Sequence, residues 1–89
     1  MGRAVVKLAE DEYVEWSTVV DAPVTSALER EAAAAAWGAD RVQRADVYGT
    51  SFMNRVVSTE DMLSCNRAGP GESELTLQEI REKYRKDTS

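Results

Sequence analysis

The sequence predicts one small α+β domain that opens with an antiparallel β-hairpin and continues in short helices. Two runs rich in β-branched and aromatic residues, 4–9 and 13–20, predict the strands, and the three acidic residues 10–12 between them form a typical hairpin loop. Helix-start signals and a run of alanine follow the hairpin. The chain has 89 residues, the length of a single domain, so we expect one domain over residues 1–89.

The second strand has two distinguishable faces, because successive side chains of a strand point in opposite directions. The more apolar face is predicted to lie in the core and holds Val14, Trp16, Thr18 and Val20. The other face is predicted to meet solvent and holds Tyr13, Glu15, Ser17 and Val19. Residues 21–23, Asp-Ala-Pro, are expected to end the strand. A hairpin alone is marginally stable, so a helix is expected to cover its apolar face.

A first helix is predicted over residues 26–37. Ser26 and, three residues later, Glu29 have the form of a capping box at its start, and Gly38 is a typical residue to follow its end. Residues 32–36 are all alanine, the residue with the highest helix propensity.

One stripe of this helix is formed by Leu28, Ala32, Ala35 and Ala36. Alanine lets a neighbouring element approach closely, and that neighbour is either the sheet of the same chain or a second copy. We predict the second copy, in a twofold dimer with Leu28 and Trp37 flanking the contact.

A second helix is predicted over residues 41–48, capped by Asp40, with Val42 and Ala45 facing inward. Residues 52–57 are a candidate third strand. A third helix over residues 59–67 is expected to start at Ser58 or Thr59. The last helix is predicted over residues 76–86, with a capping box formed by Thr76 and Glu79.

Composition and charge narrow the function classes. The chain holds 16 acidic and 11 basic residues, a net charge of −5, which disfavours direct binding to the phosphates of nucleic acid. No apolar run reaches the 18 or so residues of a membrane span, and the start of the chain does not resemble a secretion signal. Cys65 is the single cysteine, which favours the reducing cytoplasm. We expect Cys65 to be a small buried hydrophobe, and a reactive thiol is the alternative.

The residues needed for metal, phosphate or nucleophile chemistry do not form a recognisable pattern. The chain lacks histidine and has one cysteine, so it cannot supply a structural zinc set. Asp11, Glu12 and Glu15 have oxygen ligands but not the spacing of a calcium loop, and Gly69-Pro70-Gly71 lacks the lysine and serine of a phosphate loop. We expect no cofactor and no catalysis. A small enzyme built on paired carboxylates is an alternative.

By exclusion, the sequence predicts a protein-interaction module with a protein partner. The candidate contacts are the acidic hairpin and two aromatic residues, namely Glu10, Asp11, Glu12, Tyr13, Glu15 and Trp37. The alternative is an acidic antagonist that mimics nucleic acid on a DNA- or RNA-binding protein.

Four segments resemble a family of small proteins from actinobacteria and their phages. They are residues 13–25 (YVEWSTVVDAPVT), 44–51 with RAD and GTS, 66–72 (NRAGPGE) and 75–77 (LTL). The resemblance extends from Lys7 to Tyr84, but an alanine run stands where the family has a more charged first helix. No activity is established for the family, so the resemblance implies a shared fold. It is also consistent with a phage-encoded protein that acts on a host protein.

Overall fold

The computed structural model, which describes residues 3–53, 55–64 and 66–85, begins with three antiparallel strands. They are β1 (Arg3–Ala9), β2 (Glu12–Ser17) and β3 (Ala22–Pro23), and β2 lies between the other two. The helices that follow are α1 (Arg30–Trp37), α2 (Ala39–Tyr48), α3 (Thr59–Leu63) and α4 (Leu77–Lys83), with a 3-10 turn at Pro70–Glu72. The predicted α+β class with an N-terminal hairpin is confirmed.

The sheet is covered on both faces. On one face, Trp16 is 1% exposed and packs with residues of β1, β2, α3 and α4, namely Val6, Leu8, Val14, Leu63 and Ile80. On the other face, Tyr13 is also 1% exposed and packs with residues of β1, α1 and α2, namely Val5, Ala33, Val42 and Ala45. The predictions that Trp16, Val42 and Ala45 face inward are therefore confirmed.

The prediction that one face of β2 meets solvent is wrong, because α1 and α2 pack against that face and bury Tyr13. The predicted strand 13–20 is also too long, since β2 ends at Ser17 and Val20 is exposed. Residues 21–23 do not simply end the hairpin: Ala22 and Pro23 pair with Ser17 and Trp16 as β3.

Helix α1 begins at Arg30 rather than at Ser26, because the preceding residues pair with β2 instead. The backbone N–H of Leu28 donates to Tyr13 O over 2.8 Å, and the N–H of Tyr13 donates to Leu28 O over 2.9 Å. Glu29 is the N-cap residue, with no side-chain cap of its own. Tertiary hydrogen bonds to the sheet thus replace the local capping box that the sequence indicates.

The alanine run turns a different face to the sheet than the predicted stripe. Ala33 is fully buried against the sheet, whereas Ala32, Ala35 and Ala36 are exposed and Leu28 lies before the helix. The alternative that this stripe packs on its own sheet is therefore wrong. The twofold dimer through these alanines stays a prediction.

Helix α2 begins at Ala39, two residues earlier than predicted, with Gly38 as its N-cap residue and Asp40 in its first turn. Residues 49–51 then run along β1: Lys7 N–H donates to Gly49 O and Ser51 N–H donates to Val5 O, both over 3.0 Å. The predicted third strand is not observed in the described part of 52–57. Side chains bind its carbonyl groups instead, since Arg44 Nε donates to Phe52 O and Thr50 Oγ1 donates to Val57 O.

Helix α3 starts at Thr59 after an N-cap at Ser58, as predicted, but ends at Leu63 rather than at residue 67. Asn66 binds the carbonyl group at the end of the helix: its buried side-chain Nδ2 donates to Leu63 O and also to Leu75 O, each over 2.8 Å. This amide therefore ties the end of α3 to the segment before α4. Cys65 lies outside the described residues. The prediction that it is a small buried hydrophobe, and the alternative of a reactive thiol, therefore both stay open.

The capping box of the last helix is confirmed, although the helix spans Leu77–Lys83 rather than 76–86. Thr76 N–H donates to Glu79 Oε1 over 2.8 Å, and Glu79 N–H donates to Thr76 Oγ1 over 3.2 Å. Ile80 points into the core. Over the part of the chain that the structure describes, no helix has the length and apolar character needed to cross a membrane.

Trp16→Ala should lower the free energy of unfolding by about 3–5 kcal/mol, because truncation leaves a cavity in the larger core cluster. That is a large part of the roughly 5–15 kcal/mol that stabilises a small domain. Chemical denaturation measures the loss. The control is Val19→Ala on the exposed β2–β3 connection, which should change stability by less than about 0.5 kcal/mol. Equal stability of Trp16→Ala and wild type would show that Trp16 is not in the core.

Candidate functional site

Tyr13, the central residue of the predicted contact site, is an internal residue. Its hydroxyl donates a hydrogen bond to Asp46 Oδ1 on α2, and Lys7 Nζ lies 5.9 Å from the centre of its ring. Burial raises the pKa of Tyr13 to about 12, and the Asp46 carboxylate adds to the shift. The expectation that Tyr13 is exposed is therefore wrong, because its ring and hydroxyl are both used inside the fold.

Asp46 is the hub of a polar cluster that joins α1, α2 and the sheet. Arg30 Nε donates to Asp46 Oδ2 over 2.8 Å, and Lys7 Nζ lies 3.5 Å from Asp46 Oδ1. Burial raises the pKa of Asp46, but the hydrogen bonds from Tyr13 and Arg30 and the nearby charges outweigh it, so the pKa lies below its ordinary value. The carboxylate is held ionised and fully paired, which is a structural role.

The four acidic residues of the hairpin differ in what they do. Asp11 Oδ1 accepts a hydrogen bond of 2.7 Å from Arg30 N–H and so caps α1 from a distance. Glu12 accepts two hydrogen bonds from Arg81 on α4, at 2.7 and 3.1 Å, and the bonded guanidinium lowers the pKa of Glu12. Glu15 is the third partnered carboxylate, paired with two arginines described below. Glu10 is exposed at the tip of the hairpin.

Trp37, the other predicted contact, lies half-buried at the end of α1. It packs against the cluster that contains Tyr13 and Val42. Of the six predicted contacts, Glu10 and Asp11 are thus the ones that the structure leaves exposed, and Asp11 is engaged as a cap. Several of the residues predicted to form the contact surface therefore hold the fold together.

The structure brings together a different surface, on α2 and the segment after it. We call it the arginine–methionine surface, and it consists of Arg41, Arg44, Val47, Tyr48, Met53 and Arg55. It contains two adjoining concavities of about 470 and 600 Å³ that share Arg41 and Met53. Met53 is 76% exposed and Val47 is 66% exposed, and the two side chains line the same concavity.

The arginines of this surface are oriented by aromatic rings. The Arg44 guanidinium lies 4.9 Å from the centre of the Tyr48 ring, and that of Arg55 lies 5.1 Å from the centre of the Phe52 ring. Within residues 3–53, 55–64 and 66–85, no carboxylate lies within 4.0 Å of either guanidinium. Arg55 is exposed to solvent. Arg44 is half-buried, its Nε donates to Phe52 O, and the exposed Asp40 lines the same concavity, so its positive charge is only partly open to solvent.

The edge of the surface is charge-balanced by Glu15. Its Oε1 lies 3.2 Å from Arg3 Nη1, and its Oε2 lies 4.0 Å from Arg41 Nη1. Glu15 thus pairs closely with Arg3 at the start of β1 and lies at the limit of ion-pair distance from Arg41 on α2. The other two arginines of the surface, Arg44 and Arg55, have no carboxylate of the described residues within 4.0 Å.

Chemically, the surface suits binding rather than catalysis. Arginine, methionine and aromatic residues are enriched at protein interfaces, and the guanidinium group binds carboxylates through two parallel hydrogen bonds. Among the described residues, no group of three or more His, Cys, Asp or Glu side chains is arranged to hold a metal ion.

Part of this surface had a signal in the sequence. Arg41, Arg44 and Tyr48 follow a spacing of three and four residues, which places them on one face of α2. Phe52 and Met53 had no such signal, because residues 52–57 are predicted as a strand, whereas the described residues of this range form no strand.

Asp46→Asn should lower stability by about 1–2 kcal/mol at pH 7, because the neutral amide pairs less well with Arg30 and Lys7 in this partly exposed cluster. The folded pKa of Asp46 lies below that of the unfolded chain, so its contribution is present above pH of about 4 and is lost as the pH falls through the folded value. Urea denaturation at pH 7 and pH 3 measures the difference between wild type and variant. A difference that is unchanged at pH 3 would show that the ionised carboxylate is not what stabilises the cluster.

Comparison of the chain with protein-family models, curated proteins and solved structures finds no match. The resemblance of residues 13–25 to small actinobacterial and phage proteins therefore stays a prediction. The arginine–methionine surface is the starting point for a function.

Proposed function

We propose that this protein is a non-catalytic interaction module of the cytoplasm and that the arginine–methionine surface binds an acidic segment of a partner protein. The observation that carries the proposal is the exposure of Val47 and Met53 beside two guanidinium groups, those of Arg44 and Arg55, which have no carboxylate of the described residues within 4.0 Å.

Burial of the exposed apolar side chains, Val47 and Met53, favours binding. Moving a valine or methionine side chain from water into an interface contributes about 1.5–3 kcal/mol. Val47 and Met53 line the same concavity, so one apolar group of a partner can cover both. Exposed apolar side chains that cluster and are rimmed by polar groups are typical of interaction sites.

The guanidinium groups supply the selectivity. Arg44 and Arg55 can each donate hydrogen bonds to a carboxylate of the partner. The rings of Tyr48 and Phe52 already limit the freedom of both guanidinium groups, so less entropy is lost on binding. The whole chain carries a net charge of −5, which repels an acidic partner at long range. At physiological salt this repulsion is screened beyond about 8 Å, so the local arginines dominate at contact.

The two alternatives have less support. An acidic antagonist needs densely spaced carboxylates to replace phosphates, and a net charge of −5 over 89 residues is sparse for that task. Glu12 and Glu15 are moreover paired with arginines. A carboxylate enzyme has a candidate groove of about 380 Å³ beside Glu12, where several acidic residues meet. A general acid there needs a raised pKa, whereas Arg81 lowers that of Glu12.

Affinity capture from a cytoplasmic lysate, quantified by mass spectrometry, tests the proposal. Met53→Glu and Arg55→Glu should each reduce recovery of the specific partner by about tenfold or more, because each removes a contact of at least about 1.4 kcal/mol. The matched controls are Val24→Glu and Arg85→Glu, which place the same charge changes at exposed positions outside the surface. Thermal melting of all four variants shows that they are folded.

Equal recovery of every captured protein by the surface variants and the controls would contradict the proposal. Loss of capture after nuclease treatment would also contradict it, since the arginines would then be reading nucleic acid. Partner binding that is lost in Arg85→Glu but kept in Arg55→Glu would place the contact near the end of α4, outside the arginine–methionine surface.

A further inference from the structure

A second surface of the molecule is an apolar groove at the other end of β1. The groove has a volume of about 720 Å³ and lies between the end of β1, α3 and the start of α4. We call it the leucine groove after the side chains that form it, Leu8, Leu63, Leu75 and Leu77. Leu8 and Leu63 are buried at its base, whereas Leu77 is 39% exposed on its wall.

The walls of the groove are fixed before any ligand binds. Thr59 Oγ1 donates to Lys7 O over 2.8 Å and holds α3 on β1. The buried Asn66 side chain binds both Leu63 O and Leu75 O, and its Oδ1 also accepts from Leu75 N–H over 2.9 Å. A preformed groove loses little conformational freedom on binding, which favours affinity.

The rim of the groove is negatively charged. Glu10, Glu60 and Glu74 line it and are exposed, and no lysine or arginine of the described chain lies within 4.0 Å of their carboxylates. Lys7 also lines the groove, but its ammonium group is 3.5 Å from Asp46 Oδ1 and is engaged there. The groove therefore combines an apolar floor with carboxylates that have no cation beside them.

We propose that the leucine groove binds a basic amphipathic segment of a partner protein, with apolar side chains on the leucines and lysine or arginine beside Glu10, Glu60 and Glu74. The volume lies in the range of sites that enclose several side chains, and the groove is open, as a peptide segment requires. Charge selects the occupant, because the carboxylate rim repels an acidic segment and attracts a cationic one. This site is independent of the arginine–methionine surface, which takes a partner of opposite charge.

The probe is a fluorescent helical peptide of about 14 residues with leucine on one face and lysine on the other, compared with the same peptide carrying glutamate for lysine. Anisotropy should show that the lysine peptide binds wild type at least about tenfold more tightly than the glutamate peptide. In methyl NMR spectra of the protein, the chemical-shift changes that the lysine peptide causes should be confined to Leu8, Leu63, Leu75 and Leu77.

Leu77→Lys should weaken binding of the lysine peptide by about tenfold, because it removes an apolar contact and adds a like charge at an exposed position. Val24→Lys is the matched control, since Val24 is 40% exposed, Leu77 is 39% exposed, and Val24 lies outside the groove. Met53→Glu should leave this binding unchanged, which separates it from the function proposed above.

The charge of the rim is tested by neutralising it. The triple variant Glu10→Gln, Glu60→Gln and Glu74→Gln should weaken binding and remove most of its salt dependence. The control makes the same charge change at exposed residues outside the groove, Glu31→Gln, Glu72→Gln and Glu82→Gln.

Three results would overturn the inference. The first is equal affinity for the lysine and glutamate peptides, and the second is methyl shifts outside the groove. The third comes from light scattering of the chain alone: a mass near twice 9.8 kDa that Leu77→Lys returns to 9.8 kDa would show that the groove holds a second copy instead.

Discussion

The complete enclosure of β2 is the constraint on which the rest of the structure depends. One edge of the strand pairs with β1, and the other pairs with β3 and with the backbone of Leu28. One face packs on α3 and α4 through Trp16, and the opposite face packs on α1 and α2 through Tyr13. A six-residue strand therefore contacts almost every other element, and the helices are arranged around it.

This enclosure explains why the hairpin, although it carries the residues typical of a contact site, contributes few of them to the surface. Tyr13 binds Asp46, Asp11 caps α1 and Glu12 binds Arg81 on α4. The two surfaces proposed to bind partners lie near the two ends of β1, which are about 20 Å apart at 3.3 Å per residue. Arg3 lines a concavity of the arginine–methionine surface, and Ala9 lines the leucine groove. The two proposed sites are opposite in charge, and each has exposed apolar side chains.

Local signals in the sequence predicted the structure well where no distant segment competes with them. The capping box of Thr76 and Glu79 and the N-cap at Ser58 formed as predicted, because the residues involved are within three positions of each other. The inward position of Val42 and Ala45 follows from helical periodicity in the same way.

The predictions that were wrong are those in which contacts outside the local pattern compete with it. The capping box predicted at Ser26 does not form, because Leu28 makes backbone hydrogen bonds with Tyr13 instead. In place of the strand predicted over 52–57, side chains of Arg44 and Thr50 bind carbonyl groups of this segment. Tyr13 was assigned to solvent because alternation along one strand cannot reveal that helices cover both faces. The arginine–methionine surface was missed for a related reason, since two of its six residues, Met53 and Arg55, lie on the segment after α2.

Solvent paramagnetic relaxation enhancement, measured by NMR with a soluble gadolinium chelate, tests the enclosure of β2 most directly. The account predicts that the ring protons of both Tyr13 and Trp16 are protected, while the methyl groups of Met53 and Val47 relax strongly. Relaxation of the Tyr13 ring as strong as that of the Met53 methyl group would contradict it, since the α1–α2 face of the sheet would then be open to solvent.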